Sequence, residues 1–572
     1  MKKTLAMLLA VLMLLGCLVA CSAEPTAPAE TPAAPTETPA TTPSEPADEP
    51  ADEPVEEPAD EPVEEPVEEP AASVYPICAP GEITVEWFAG DKTNNVLQLA
   101  EADFSQNVFW QWITEVTGVQ IKWNILSGDT YNEQFNLMLV SEDYPDIANG
   151  NVNLVNASPD LAYEDGVLVD LAEHIDWIPN YKASLDIAMG GYKGHLTDGG
   201  RLLGFWQLRD RTQPSFLGYF VRQDWLNDLG LELPTTLDEW TTVLTAFRDN
   251  KTSGKGPMTY DAGGLPPGNW FARAYGVNAQ STISFMLQRD GVVACSALED
   301  GYRSMLELLS GWYADGLIDQ DFAGRTGWNY LNPMIDAEEV GIWYTMFRYG
   351  GTYMRDSMGL CANDEDFYAV KLPQPTLEEG GKNMIGDRGE IASIMGMMGS
   401  MIFAESEHVE ASVKMIDYVY SEEGTLHANW GWEGVHFEYD ENGKPYYLPW
   451  MKDPDQGTNR ELYLIHSRPK MDLMDGIEDG LPEDALDYYD VWDEVGAWNL
   501  PALTFTAEEA EEMGSIANDI NTYVQEFTIK TIVGQQEIND QTWAEYISAL
   551  EGMGVAKLTE LYQAAFDRFM AR

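Results

Sequence analysis

The 572-residue sequence predicts an α/β fold of two lobes with extra C-terminal helices. Strand and helix patterns alternate in the first folded stretch, and this order builds a mostly parallel sheet. About 490 residues belong to the folded part, which is too long for one hydrophobic core. Beyond Ser406 the apolar periodicity is largely helical.

The elements of the first unit follow from apolar periodicity and stop signals. Residues 83–88 and 119–126 are predicted as strands, and the helix between them ends at Gly118. A second helix around 135–139 leads to a short third strand that begins at 145. Ligands of such sheets bind beyond the carboxyl ends of the strands.

A second unit starts near Tyr219, and helix caps mark its boundaries. Thr236 and Glu239 have the spacing of a capping box, as do Thr506 and Glu509 further along the chain. Each pair precedes an amphipathic helix. No internal repeat is visible between 81 and 572.

The N-terminus has the pattern of a bacterial secretion signal in residues 1–21. Lys2 and Lys3 precede an apolar run, and Cys21 follows Leu-Val-Ala in a pattern that resembles a lipobox. We therefore expect Cys21 to be lipidated. Cys17 is a weaker alternative, and an uncleaved membrane anchor is another, although the run is short for a bilayer span.

Residues 22–80 are predicted to be a disordered, extended tether. They consist mainly of Ala, Thr, Pro, Glu and Asp, and they contain 16 acidic residues and no basic one. So little apolar surface and so much like charge prevent a packed core. We expect no chemistry in this segment.

Charge and motif content exclude several classes of protein. The net charge is −64, and removing the two lysines of the signal and the 16 acidic residues of the tether leaves −50. This charge opposes binding of nucleic acid or of an anionic membrane surface. The sequence contains no Walker loop, no GxGxxG, no GxSxG and no HExxH, and its cysteines form no zinc pattern. We expect neither catalysis nor a cofactor.

Four stretches together resemble the family 1 extracellular solute-binding proteins of ABC carbohydrate importers. They are VRQDWLNDLG at 221–230 with PTTLDEW at 234–240, DGLID at 315–319, SEEG at 421–424 with GWEGVH at 431–436, and the lipobox with its acidic tether. The chain is most similar to the long lipoproteins that include the alginate-binding proteins.

This resemblance implies the type II periplasmic-binding-protein-like fold, in which two hinged lobes close on one solute. It places lobe one at 83–215 and 366–405, and lobe two at 216–365 and 406–572. It also implies a carbohydrate ligand, delivery to the transmembrane subunits of an ABC permease, and a monomer that is held at the outer face of the cytoplasmic membrane by its lipid anchor alone.

One departure from the family concerns calcium. Long relatives often hold calcium just after the capped helix of lobe two, but residues 249–256 offer one aspartate and two lysines. Calcium needs six to eight oxygen ligands with several carboxylates. We therefore predict no metal there. The acidic stretch at 440–443 is more simply a hairpin turn around Asn442-Gly443.

Tryptophan is the main candidate for contact with a sugar. Trp offers a large flat apolar surface, although most tryptophans belong to cores. Trp206 lies near the expected first crossing between lobes, and Trp270 follows Pro-Pro-Gly-Asn in what reads as an irregular loop. Trp430 and Trp432 flank Gly431 after a helix. These four are the first candidates for the binding cleft.

Other candidates are polar or end apolar runs. Their alternative roles are core packing, a structural ion pair between Arg222 and Asp224, a surface turn around residue 388, and a backbone contact for Glu433. Asp91 and Lys92 are included because they resemble the sugar-contacting loop of maltodextrin-binding relatives. The set is Trp87, Asp91, Lys92, Arg222, Asp224, Trp343, Asp387, Arg388, Glu390 and Glu433.

Two other functions remain open at this stage. A receptor of the same fold could bind a peptide or another organic solute. A secreted glycoside hydrolase would also place carboxylates near tryptophans, with its two carboxyl groups about 5 to 9.5 Å apart. No hydrolase motif is visible in the sequence.

Overall fold

The computed structural model describes most of the chain from Tyr75 onwards. The described residues are 75–90, 107–126, 128–152, 155, 158–188, 190–211, 217–252, 256–260, 266–279, 285–325, 330–346, 350–356, 358–386, 388–389, 398–452, 469–480 and 495–572. The predicted signal peptide, its Cys21 and nearly all of the tether lie outside them. None of the helices in this part of the chain has the length and apolar character that a bilayer crossing requires.

The first part of the chain contains β1 (Thr84–Gly90), α1 (Val108–Thr117), β2 (Gln120–Leu126), α2 (Gly128–Ser141), β3 (Ile147–Asn151), α3 (Pro159–Glu164), a 3₁₀ turn (Leu171–Trp177), α4 (Pro179–Ile187), α5 (Gly191–Gly194) and β4 (Phe205–Arg209). The predicted stop at Gly118 is confirmed, because this residue caps α1 in the left-handed conformation with φ 80°.

The middle part contains β5 (Leu217–Arg222), α6 (Gln223–Leu229), α7 (Leu237–Asn250), β6 (Met258–Thr259), α8 (Pro266–Ala274), β7 (Met286–Arg289), β8 (Val292–Cys295), α9 (Asp300–Ala314), α10 (Leu331–Asp336), β9 (Ile342–Met346), α11 (Tyr353–Asp356) and β10 (Ala369–Lys371), with 3₁₀ turns at Ser296–Leu298 and Phe322–Gly324.

The last part contains β11 (Arg388–Gly389), β12 (Met398–Ile402), α12 (Val409–Val419), α13 (Glu422–Trp430), β13 (Phe437–Tyr439), β14 (Pro445–Tyr447), α14 (Pro449–Lys452), β15 (Lys470–Asp472), α15 (Met474–Asp479), β16 (Val495–Gly496), α16 (Ala507–Ile532), α17 (Asp540–Met553) and α18 (Val555–Ala571). Both predicted capping boxes are present, at the starts of α7 and α16. The predicted turn at Asn442-Gly443 joins the antiparallel pair β13–β14.

Two sheets organise two separate cores. The first sheet has the order β15-β4-β12-β3-β1-β2, in which β12 runs antiparallel to its neighbours β3 and β4. The second has the order β10-β5-β9-β6, in which β5 runs antiparallel to its neighbours β10 and β9. One buried apolar cluster surrounds each sheet. We call the first sheet with its cluster lobe one and the second lobe two.

The structure moves the predicted lobe boundaries in two places. Residues 366–405 were predicted in lobe one, but Ala369–Lys371 pairs with β5 in the lobe-two sheet. Residues 406–572 were predicted in lobe two, but α12 and Ala428 of α13 pack in the lobe-one core, and β15 joins the lobe-one sheet. Helices α16, α17 and α18 belong to the lobe-two core, where the Tyr302 hydroxyl lies 2.8 Å from that of Thr528.

The end of the predicted tether is also corrected. The Tyr75 ring packs edge-on against Tyr418, and its hydroxyl donates to the Lys414 carbonyl at 3.1 Å. The Ile77 amide donates to the Thr117 carbonyl at 2.8 Å. Residues 75–80 therefore pack on lobe one, because Tyr75 and Ile77 bring enough apolar surface to hold the backbone there.

Three chain segments connect the lobes, and two of them are fastened together. The connections run from β4 to β5, from β10 to β12, and from β15 to α16. The second and third are joined by the parallel pair β11–β16. Beside this pair, Asn499 Nδ2 donates to the Gly386 carbonyl at 2.9 Å, and its Oδ1 accepts from the Gly386 amide at 3.2 Å. The side-chain amide of Asn499 thus makes the same pair of hydrogen bonds with Gly386 that a backbone amide of a neighbouring strand would make.

Lobe one also contacts the third connection directly. Ser158 Oγ donates to the Phe505 carbonyl at 3.0 Å, and the Asp198 amide donates to Thr504 Oγ1 at 3.0 Å. The Asp198 side chain, which is 4% exposed, binds Arg568 and Arg572 of the C-terminal segment. Charged and backbone contacts therefore fix where lobe one meets the helices of lobe two.

Candidate ligand site at the carboxyl edges of the two sheets

The first connection joins the carboxyl edges of the two sheets. Strand β4 runs parallel to β1, because β4 and β3 both lie antiparallel to β12 and β3 is parallel to β1. It ends at Arg209. The chain enters the second sheet at Leu217, which pairs with Met346, the last residue of β9. It therefore leaves one carboxyl edge and arrives at the other.

The second connection has the same property. Strand β10 runs antiparallel to β5, so it ends at Lys371 on the carboxyl edge of β9. The chain re-enters the first sheet at Met398, which pairs with Asn151, the last residue of β3. The carboxyl edges of both sheets thus border the connecting segments, and this is where α/β proteins place their ligands.

The lobe-two edge is lined by tyrosines. Tyr219 of β5 pairs with Tyr344 of β9, and Tyr260 follows directly after the pair Thr259–Trp343. Tyr219 and Tyr260 are buried, and burial raises the pKa of both hydroxyls well above the usual value. These hydroxyls stay protonated in all ordinary conditions and can both donate and accept hydrogen bonds.

An acidic residue at this edge is already neutralised. Asp319 follows a residue that bridges to β6, and its side chain is fully buried. It accepts hydrogen bonds from Arg325 Nε at 2.9 Å and from Thr259 Oγ1 at 3.0 Å. Asp319 belongs to the DGLID stretch, so this part of the family likeness has a structural role.

The lobe-one edge carries a compact ion cluster where β4 and β15 end. Asp472 accepts from Lys470 Nζ at 2.8 Å and from Gln207 Nε2 at 2.6 Å, and Arg209 Nε lies 3.6 Å away. Burial alone would raise the pKa of Asp472, but Lys470 and Arg209 outweigh it and hold this pKa below its usual value. The Asp472 carboxylate therefore stays ionised, and with one carboxylate beside two cationic side chains the cluster has no excess of negative charge.

Trp206 lies in the core of lobe one. Its indole Nε1 donates to the His195 carbonyl at 3.3 Å, and its backbone amide donates to the Tyr181 hydroxyl. A side-chain carbon at Gly399 would stand only 2.5 Å from the ring, so the neighbouring strand must have glycine there. In this conformation the ring of Trp206 is covered on both sides, with 1% of its surface exposed.

Trp87 and Trp343 are likewise fully buried. Trp87 stacks on Trp123 at 5.0 Å between centroids, and its Nε1 donates to Asn149 Oδ1 at 2.9 Å. Trp343 is the second residue of β9 and pairs with Phe220. Both fill sheet cores, and a role for either in ligand contact stays a prediction.

The prediction that Trp270 lies in an irregular loop was wrong. Pro266 and Pro267 begin α8 rather than a loop, because proline is tolerated in the first turn of a helix, where no amide needs a partner. Trp270 lies on this helix, 1% exposed, and packs edge-on against Tyr219 at 5.4 Å. Its ring thus packs against two tyrosines of the edge, Tyr219 and Tyr344.

The last two tryptophans differ in exposure. Trp430 ends α13 and is buried in a small cluster with Phe437 and Tyr447. Trp432 is half-buried and stacks on His427 at 4.8 Å with an interplanar angle of 14°. Glu433 beside it is exposed. Among the four first candidates, Trp432 alone keeps substantial exposed surface.

Arg222 and Asp224 form an ion pair, with Arg222 Nε 2.8 Å from Asp224 Oδ1. Arg222 also binds Asp364, and its guanidinium lies over the rings of Trp225 and Phe367. This arrangement ties the segment before β10 to the start of α6. It matches the structural alternative for this pair, while a contact with ligand stays a prediction.

Four predicted site residues lie outside the described part of the chain: Asp91, Lys92, Asp387 and Glu390. Arg388 is described in its backbone alone, as part of the β11–β16 pair. Their predicted contacts with ligand stay predictions.

Residues 249–256, where long relatives often hold calcium, are described in part. Asp249 pairs with Arg248 at 2.8 Å, and residues 253–255 lie outside the described part. In the described part of the chain, no three His, Cys, Asp or Glu side chains are grouped so as to hold a metal ion.

Sequence reasoning missed the residues of the lobe-two edge, including Tyr219, Tyr260, Thr345 and Gln374. The sequence-based candidates were mainly tryptophans and charged residues. A signal existed, because the edge rule points to the polar residues at strand ends. Applying it would have required knowing that residues 342–346 form a strand of the second sheet.

The comparisons with known proteins agree with this architecture. The chain is 25% identical over 505 residues to the fructooligosaccharide ABC transporter substrate-binding protein FusA of Streptococcus pneumoniae serotype 4, which covers 83% of this chain and 89% of that protein. The crystal structure of FusA with kestose superimposes with a TM-score of 0.65, at 21% identity and with 85% of this chain and 99% of that one covered.

A second solved structure gives the same result. The alginate-binding protein AlgQ2 without calcium superimposes with a TM-score of 0.65, at 22% identity over 85% of this chain and 98% of that one. The chain has the two-lobed fold of the solute-binding proteins. The predicted fold class is therefore confirmed, and so is the resemblance to binding proteins of ABC carbohydrate importers.

The sequence also matches a lipoprotein over a shorter stretch. Lipoprotein LipO of Bacillus subtilis is 24% identical over 244 residues, which cover 39% of this chain and 43% of LipO. No family model matches the chain. FusA and AlgQ2 are binding proteins by name.

Proposed function

We propose that this protein is an extracellular receptor that binds an oligosaccharide between its two lobes and delivers it to an ABC importer. The topology carries the proposal, because the first two connecting segments each run from the carboxyl edge of one sheet to the carboxyl edge of the other. A solute that contacts both edges favours the closed arrangement through its differential contacts with the two lobes. The match to FusA covers 83% of this chain, and FusA is named as the substrate-binding protein of a fructooligosaccharide ABC transporter.

The chemistry of the edges supports a neutral carbohydrate. Tyrosine hydroxyls at the lobe-two edge match the hydroxyl groups of sugars, and Asp319 is already paired with Arg325. The lobe-one cluster around Asp472 is also internally paired. With a charge of −50 on the folded part, a polyanionic ligand is disfavoured.

The remaining parts of the proposal concern context. The receptor acts without catalysis, binds as a monomer, and docks on the transmembrane subunits of an ABC permease. Cys21 carries the lipid that holds it at the outer face of the cytoplasmic membrane, and two acyl chains suffice for stable anchoring. Replacing Cys21 with Ala should release the protein or block its processing. Unchanged retention would move the anchor to Cys17 or to an uncleaved helix.

A thermal-shift screen tests the central claim on the chain that begins at residue 22. Kestose, maltotetraose, an alginate tetrasaccharide and a tetrapeptide are compared. A ligand at 100 times its Kd adds about 2.7 kcal/mol to the unfolding free energy, which gives a clear rise in Tm. Small-angle scattering should show compaction with the same ligand. A shift with the peptide alone would replace the carbohydrate by another organic solute.

Binding should not need a metal. The described residues contain no cluster of metal ligands, and residues 249–256 have a single aspartate. Addition of EDTA should leave Tm and affinity unchanged. A fall of many degrees that calcium reverses would contradict the prediction for 249–256.

A further inference from the structure

Four buried polar side chains at the lobe-two edge have no hydrogen-bond partner within the described part of the chain. They are the hydroxyls of Tyr219, Tyr260 and Thr345 and both amide atoms of Gln374. Their exposed fractions are 0%, 1%, 0% and 3%. We call them the edge quartet.

The quartet is not scattered over the lobe. Each strand of the second sheet contributes one member: Tyr219 lies in β5, Thr345 in β9, Tyr260 directly after β6, and Gln374 three residues after β10. Tyr219 pairs with Tyr344, and Thr345 pairs with the residue before Tyr219. All four therefore belong to the last rows of the sheet, on the side of the connecting segments.

A buried polar group without a partner costs about 1–3 kcal/mol, and native proteins keep few of them. Four such groups at one edge have three conceivable kinds of partner: ordered waters, residues outside the described part of the chain, or a ligand. The position favours the ligand, because this edge borders the connections that join the lobes.

We propose that the edge quartet is the lobe-two half of the ligand site and hydrogen-bonds the hydroxyl groups of the carbohydrate. This inference rests on the proposed function and names the residues that recognise the ligand. Hydroxyl and amide groups can each donate and accept, as sugar hydroxyls do. A cation would instead need an unpaired carboxylate, and Asp319 is occupied by Arg325 and Thr259.

The chemistry also sets the specificity. A site built to hydrogen-bond a hydroxyl rejects the analogue that lacks it, because its own polar groups then stay unpaired. The receptor should discriminate strongly against deoxy analogues at the sugar positions that face lobe two.

The test uses two opposite effects of one substitution. In Tyr219→Phe and Tyr260→Phe the hydroxyl is removed and the ring is kept. Without ligand, Tm should stay the same or rise, because an unpartnered buried group disappears. Affinity for whichever neutral oligosaccharide, kestose or maltotetraose, stabilises the wild type more should fall by roughly tenfold for each variant.

Two controls separate this effect from general ones. The Tyr546 hydroxyl is also buried and without a partner among the described residues, but it lies in α17, away from the edge. Tyr546→Phe should change Tm in the same direction and leave affinity unchanged. Tyr302→Phe removes a satisfied hydroxyl bonded to Thr528, so it should lower Tm and leave affinity unchanged.

Each outcome decides the matter. If the wild type binds and both edge variants bind equally well, the two hydroxyls do not contact the ligand and the inference is wrong. If either edge variant loses many degrees of Tm without ligand, its hydroxyl has a structural partner and the inference is wrong for that residue. If the wild type binds no carbohydrate, the proposed function fails and the inference falls with it.

Discussion

Arg568 of the last helix joins Asp198 of lobe one to Glu509 of lobe two. Its Nε lies 2.7 Å from Asp198 Oδ2, and its Nη1 lies 2.7 Å from Glu509 Oε1. Glu509 also completes the capping box at the start of α16. A single guanidinium thus connects a loop of one lobe to the beginning of a long helix in the other.

Replacing Asp198 with Asn should lower the free energy of unfolding by about 1–3 kcal/mol. The change keeps the size of the side chain but leaves the partly buried Arg568 and Arg572 without their carboxylate, and charged hydrogen bonds are the stronger ones. Chemical denaturation measures this loss. Asp186→Asn removes a surface pair with Lys182 and should cost less than about 0.5 kcal/mol. If both changes lower the free energy of unfolding equally, the Asp198 contacts stabilise the protein no more than a surface ion pair does.

Trp206→Ala should destabilise the protein by about 3–5 kcal/mol, because the ring fills the core of lobe one and its removal leaves a large cavity. Trp432→Ala should cost clearly less, since this ring is half-buried and stacks mainly on His427. Thermal denaturation of both variants checks the order. If Trp432→Ala is as destabilising as Trp206→Ala, the stacked pair with His427 is part of a core.

Local features of the fold were predictable from sequence, and long-range ones were not. The two capping boxes and Gly118 follow from residue types a few positions apart, and all three are confirmed. The assignment of β10 to lobe two and of α12 to lobe one depends on pairing between residues more than a hundred positions apart. No periodicity encodes such pairing.

In the candidate site, too, local features were predictable from the sequence and long-range ones were not. Trp206 was expected near the first connection, and it does lie on β4 close to that point. Its burial could not be foreseen, because it depends on Gly399 of a strand almost two hundred residues away. The edge tyrosines were missed since their positions become meaningful only when the order of the four strands is known.

Stability should depend on pH through Asp417 of α12. This carboxyl is fully buried, and burial raises its pKa to about 7 although it accepts hydrogen bonds from the Tyr181 amide and from Asn180. In the unfolded chain it would ionise near pH 4. Between about pH 4 and pH 7 the folded state alone holds the proton, so this contribution to stability falls as pH rises and is lost above about pH 7.

Replacing Asp417 with Asn should remove that dependence, which amounts to at most about 4 kcal/mol. Tm of the wild type should decline more steeply from pH 5 to pH 8 than Tm of Asp417→Asn. Glu410→Gln changes an exposed carboxylate on the same helix and should keep the slope of the wild type. Parallel curves for wild type and Asp417→Asn would mean that the carboxyl is ionised throughout.

The clamp between Asn499 and Gly386 gives a prediction for the connecting segments. The Asn499 amide makes two hydrogen bonds with the backbone of Gly386, and the Trp498 amide donates to the Met384 carbonyl at 2.9 Å. Asn499→Ala removes both side-chain bonds while the β11–β16 pair remains. The amides around 384–389 and 495–499 should then exchange with deuterium faster, by roughly tenfold for about 1.4 kcal/mol of lost local stability.

The control for this variant is Asn442→Ala, in the exposed turn between β13 and β14. It should leave exchange at the clamp unchanged. Because the clamp ties two connecting segments to each other, its loss should affect them both and spare the α7 capping box in lobe two. Faster exchange throughout lobe two would instead show that Asn499 supports the lobe as a whole, and unchanged exchange at Gly386 would show that the strand pair holds the segments without it.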